Sequence, residues 1–163
     1  IHTLFMKSNI WKTINNVKYS TSNECLKDLE SNNFICSEWI KDIFSKNIFE
    51  YSKNNFPINL VRIKVSEFGF SRPVELREFY DKLEYKNFSL VPPEIALYSR
   101  HIYEEQPAGE WLRFATPMNS LIDSDGVPHL PKLGKALGKY FIETYWSYPK
   151  AIFHPHNEFV VIK

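Results

Sequence analysis

The chain has 163 residues, 44% apolar and 24% charged, and 20 basic side chains face 19 acidic ones for a net charge of +1. Aromatics reach 16%, which excludes a globally disordered chain. No global charge excess points to a nucleic-acid or membrane partner.

No run approaches the roughly 18 apolar residues that span a bilayer. The start lacks a basic segment followed by a long apolar one, as a secretory signal requires. A cytoplasmic protein with no membrane partner is therefore expected. Met6-Lys7 reads as a translation start, with residues 1–5 an upstream extension or remnant and 6–163 one domain. Cys25 and Cys36 read as free buried thiols, because no clustered His pair gives zinc-finger spacing.

Ile10–Ile14 reads as a short strand anchored by Trp11. Thr21 with Glu24 fits a capping box, and Cys25, Leu26 and Leu29 form an apolar helical stripe. A second helix follows Ser37, with Trp39, Ile40, Ile43 and Phe44 on one face. The linker of about four residues implies an antiparallel helical hairpin. The β-branched stretch from Asn59 reads as a strand with one buried face, closed by Gly69. Ser71-Arg72-Pro73 then opens a third helix whose buried stripe is Leu76, Phe79, Tyr80 and Leu83. Pro92-Pro93 starts a short helical turn to about Tyr98.

Beyond Ser99 the chain reads as β. His101–Glu105 and Glu110–Thr116 are predicted to form a hairpin across the turn Gln106-Pro107-Ala108-Gly109. Lys139–Trp146 and Asn157–Ile162 are further strands, while Val127–Gly138 is a strand or an extended loop. Helices first and strands later give an α+β fold, in which a helical hairpin and a further helix pack on a mainly antiparallel sheet from the C-terminal half. The expected core is Trp11, Trp39, Phe44, Val61, Ile63, Phe79, Leu83, Leu112, Phe114, Phe141 and Val160.

Four constellations could carry chemistry. Asp123-Ser124-Asp125-Gly126 places alternating carboxylates on a tight turn, as a hard cation requires, but position 134 holds Gly134 where a calcium loop needs Glu. His154 and His156 share a side of an extended segment and suit zinc or iron, with a third ligand needed from His129, His101 or Asp123. Lys132, Lys135 and Lys139 precede Tyr140 and Trp146, a basic and aromatic combination that can clamp phosphates and stack bases. His101, Glu104 and Glu110 on neighbouring strands could act as an acid–base set in a cleft. An ordinary turn, surface histidines, an edge kept soluble by lysine and cross-strand charge pairs explain the same residues. No nucleophile elbow, dinucleotide fingerprint or metalloprotease motif occurs.

Trp11-Lys12-Thr13-Ile14, Pro107-x-Gly109-Glu110-Trp111-Leu112 and Asp123-Ser124-Asp125-Gly126 together resemble a family of small uncharacterised bacterial proteins. The resemblance runs from about Met6 to the C-terminus and is poor between Pro128 and Pro155. It implies one domain starting at Met6 and brings no activity and no catalytic residue. The leading expectation is a small non-catalytic module that binds a protein or small molecule, with no cofactor and no required metal. The alternatives are a hydrolase-like or nucleic-acid-processing enzyme using His101, Glu104 and Glu110, or a nucleic-acid binder through Lys132–Trp146, although nucleic acid is not the expected partner.

Overall fold

The computed structural model describes residues 9–163, so the expected start at Met6 lies outside the described residues. Along the chain run β1 (Ile10–Ile14), α1 (Ser22–Ser31), β2 (Ile35–Cys36), α2 (Glu38–Lys46), β3 (Ile58–Lys64), β4 (Val74–Glu75), α3 (Leu76–Tyr85), α4 (Pro93–Ile102), β5 (Trp111–Phe114), β6 (His129–Ala136), β7 (Lys139–Trp146), β8 (Ile152–Phe153) and β9 (Glu158–Ile162). Seven strands form one sheet in the order β1-β3-β9-β5-β6-β7-β2, and β4 with β8 makes a separate ribbon. β5 meets β9, and β7 meets β2, in parallel; the other neighbours are antiparallel. The architecture is α+β, and no described helix is long and apolar enough to cross a membrane.

Local chemistry sets the first helices. Thr21 and Glu24 close the capping box on α1, satisfying backbone amides that would otherwise lack partners. Ser37 caps α2 by accepting from the Ile40 amide at 3.2 Å. The two helices are not joined by a plain loop. β2 lies between them and adds to the edge of β7, pairing Ile35 with Phe141 and Cys36 with Ile142. Cys25 and Cys36 are free and buried, and burial pushes both thiols up to about 12.

The sheet is buried on both faces. On one, α1, α2 and α4 pack over Ile58, Leu60, Leu112, Phe114, Leu133, Ile142 and Val160. On the other, α3 and the β4–β8 ribbon cover Val61, Ile63, Leu130, Phe159 and Val161. Strand β3 therefore buries alternate residues on opposite sides rather than one face, as a central strand must. It ends at Lys64, and a short 3₁₀ segment carries the chain on to Gly69.

Several expectations are corrected here. The sheet is not confined to the C-terminal half, because β1, β2 and β3 complete it. Ser71-Arg72-Pro73 precedes β4, and the third helix starts only at Leu76. The turn after Pro92 extends to a full helix through Ile102, so His101 is helical and no hairpin joins it to β5. The partners of β5 are instead β6 and β9. The segment left open between Val127 and Gly138 is β6, where Gly134 admits the Trp111 ring from the neighbouring strand. An added Cβ there would stand 2.3 Å from that ring. Of the expected core, Trp39 is 48% exposed and Trp11 and Phe141 are half-buried.

Candidate functional site

Asp123 leaves the turn before β6 and points inward. Its Oδ1 accepts the amides of Asp125 and Val127, and its Oδ2 lies 2.8 Å from Nε2 of His129. The other imidazole nitrogen, Nδ1, lies 2.9 Å from Oγ1 of Thr144 on β7. Hydrogen bonds from His129 and two amides hold the Asp123 carboxyl below the usual carboxylate range. His129 is fully buried and the Asp123 side chain is only 6% exposed. The turn is pinned to α2, where Asp42 accepts from both the amide and the hydroxyl of Ser124 at 2.8 and 2.6 Å. A hydroxyl, an imidazole and a carboxylate in series are the parts of a proton relay. Here the enclosed imidazole ties the turn before β6 to β7.

Aromatic rings close this core. Trp39 of α2 and Trp146 of β7 each lie 5.2 Å from the His129 ring and 5.4 Å from one another. Tyr148 continues the row at 6.4 Å from Trp146. Their outer faces are open, with Trp39 48%, Trp146 39% and Tyr148 46% exposed. The strand edge beside them is open too. β2 pairs with β7 only at Phe141 and Ile142, after which Ser37 donates its amide to the Ile142 carbonyl and the chain turns into α2. Backbone groups alternate along a strand, so those of Thr144 and Trp146 face the side of the Ile142 carbonyl. No described strand pairs with them there.

The other predicted residues are dispersed. His101, on α4, stacks on Tyr19 at 5.4 Å and bonds its hydroxyl at 3.2 Å, and Tyr19 donates to Asp28. Burial lowers the His101 pKa. Glu104 is exposed, and its backbone carbonyl accepts from Tyr140. Glu110 accepts from Arg62 at 2.8 Å and from the Tyr103 hydroxyl at 2.7 Å. Arg62 also grips Glu158 with two bonds. His101 thus belongs to a helix and to the Tyr19 contact, while Glu110 belongs to an ion-pair network with Arg62. Arg100, next to His101 on α4, is fully buried. It donates to Gln106, Gly134, Tyr103 and Phe141 at 2.6–3.1 Å, and burial pulls its pKa down to about 10.

The metal candidates do not converge. Asp123 is spent on His129, and Asp125 is exposed on the turn. His154 and His156 sit exposed in the turn between β8 and β9, ring on ring at 5.7 Å. No group of three metal-ligating side chains occurs among the described residues. The basic candidates separate as well. Strand alternation puts Lys132 and Lys139 on one face of the sheet and Lys135 on the other. Lys132 lies half-buried over Trp111 at 4.8 Å, and Lys135 lies over Tyr140 at 4.9 Å. Arg100 approaches the same Tyr140 ring at 4.9 Å, so cations already occupy it. Trp146 stands at the far end of β7, about 23 Å from Lys139 at the usual strand rise.

No protein family, no curated protein and no solved structure matches the chain. The sites above rest on their own geometry.

Proposed function

We propose that this chain is a non-catalytic protein-binding module that takes an extended peptide segment along the open edge of β7, with Trp39, Trp146 and Tyr148 as its side-chain platform. The observation that carries this reading is the coincidence of three half-exposed aromatic rings with the strand edge left open beyond Ile142. An added strand gains affinity from backbone hydrogen bonds and specificity from side-chain contacts. Tryptophan and tyrosine are the residue types that dominate interface energetics. The relay beneath, from Asp123 through His129 to Thr144, supports the two tryptophans from behind and limits their motion. The dispersal of His101, Glu104 and Glu110 removes the motive for an acid–base enzyme.

The test is selection from a displayed library of random peptides against the intact chain. Trp39→Ala with Trp146→Ser serves as counter-target, and circular dichroism checks that this variant stays folded. Selected peptides are expected to lose binding at least about tenfold on the variant. They are also expected to slow hydrogen exchange at the Thr144 and Trp146 amides. Peptides that bind the variant equally well, or protect other amides, would refute the reading.

A further inference from the structure

The hairpin joining β6 to β7 turns through two residues, Leu137 and Gly138, between the paired Ala136 and Lys139. Both are left-handed, Leu137 at φ 53° and Gly138 at φ 74°. Such turns favour Asn-Gly, since a side chain with a Cβ is strained at positive φ unless it is short and polar. Here the first position carries a leucine that is 97% exposed, the most exposed of the large apolar side chains described. Strain and exposure at one residue are unfavourable for the isolated fold, and they coincide at the tip of this hairpin.

The charges around this tip are arranged by the same strand geometry. Lys135 stands on one face of the hairpin and Lys139 on the other, with Leu137 at the apex between them. A partner with a local pocket would be met by cations gathered on one side. Cations on both sides suit a surface that surrounds the tip as it enters. We propose that the β6–β7 tip is a contact point for an anionic lipid bilayer, with Leu137 entering the interfacial layer and Lys135 and Lys139 meeting headgroup charges on either side. Glu30 shares a cleft with Gly138 and Lys139 and so is the acid beside the tip, whereas the Glu104 carbonyl accepts from Tyr140 and Glu143 pairs across the strands with Lys132. This contact needs no spanning segment, and it uses a different end of β7 from the peptide edge.

The attraction is weak and additive. Each lysine near an anionic surface multiplies partitioning about fivefold (about 1 kcal/mol). Burying a leucine multiplies it about tenfold or more. The experiment is cosedimentation of the full chain with vesicles of phosphatidylcholine alone and with about one-third phosphatidylserine, at low and high salt. At low salt the anionic vesicles are expected to carry down several times more protein than the neutral ones. High salt should abolish the difference. Leu137→Asn restores the favoured turn sequence and keeps the fold, and it should lower binding about tenfold. Lys135→Gln with Lys139→Gln should lower binding about 25-fold. Equal sedimentation with both vesicle types would overturn the proposal. So would anionic binding that Leu137→Asn leaves unchanged, since insertion would then play no part.

Discussion

His129 shows what burial does to a residue that could otherwise be reactive. Both ring nitrogens have partners, Asp123 and Thr144, and two indoles lie against the ring, so the imidazole fixes a turn, a strand and a helix to one another. The depressed Asp123 carboxyl makes that linkage depend on pH. A carboxyl whose folded pKa lies below its unfolded value adds stability at pH above the unfolded value of 3.8, and the gain fades as pH falls through the folded one. Asp123→Asn should therefore lower the melting temperature near neutral pH. The gap from the parent should narrow steadily below about pH 4. Thermal melts from pH 7 to pH 2.5 check this, and a gap that is constant over the series would show that the carboxylate charge is irrelevant. Arg100 makes a complementary point. Its charge is dissipated into Gln106 and three backbone carbonyls, and among the described residues no carboxylate bonds it, so it ties α4 to the β6–β7 pair by neutral acceptors.

At the scale of elements, α2 divides its apolar residues between two roles. Ile40, Ile43 and Phe44 are buried against the sheet, while Trp39 leans on His129 with half its surface in solvent. Helical periodicity places Trp39 beside the buried stripe, but a helix at a sheet edge buries a narrower arc than one over the middle. Full burial would make Trp39→Ala cost about 3–5 kcal/mol. Half-exposure reduces the expected loss to about 1–2 kcal/mol. Urea unfolding of the variant measures it, and a loss above about 3 kcal/mol would mean that the ring is far better packed than its exposure implies. The β6–β7 hairpin behaves differently from α2, because its ends face different surroundings. One end holds the relay and the aromatic row, and the other holds the strained Leu137 turn.

For the whole molecule, the decisive feature is a sheet sandwiched between two apolar layers that share their strands. Leu60 faces the three-helix layer while its neighbours Val61 and Ile63 face the α3 layer. Val160 and Val161 on β9 divide in the same way. Neither layer can separate without exposing one face of the strands that the other packs on, so the two should unfold as one unit. Urea transitions followed by tryptophan fluorescence and by far-ultraviolet circular dichroism are expected to coincide. Trp11, Trp39 and Trp146 report on the three-helix side and Trp111 on the other, and an earlier fluorescence midpoint would show that the layers are separable.

What the sequence determined by itself is what depends on neighbours within a few residues. The Thr21–Glu24 box, the helix start after Ser37, the β-branched run into β3, the Asp123–Gly126 turn and the strands β7 and β9 are all of that kind, and with the order of elements they carried the α+β class. Tertiary structure decided the rest, because it depends on which distant segments meet. His101 lies in a stretch where aromatic and charged residues fit a strand or a helix, and only packing of α4 on the sheet chose the helix. Two prolines and two glycines between Val127 and Gly138 hid β6, and burial of His129, Leu130 and Pro131 on both faces leaves it no polar alternation to read. That hidden strand carries His129 to Thr144 and its two lysines to opposite faces, so both the relay and the scattering of the basic patch were beyond local reading. Local free energies act over one helical turn or one strand repeat, whereas a site of this kind exists only once long-range pairing has offset the entropy of bringing its residues together.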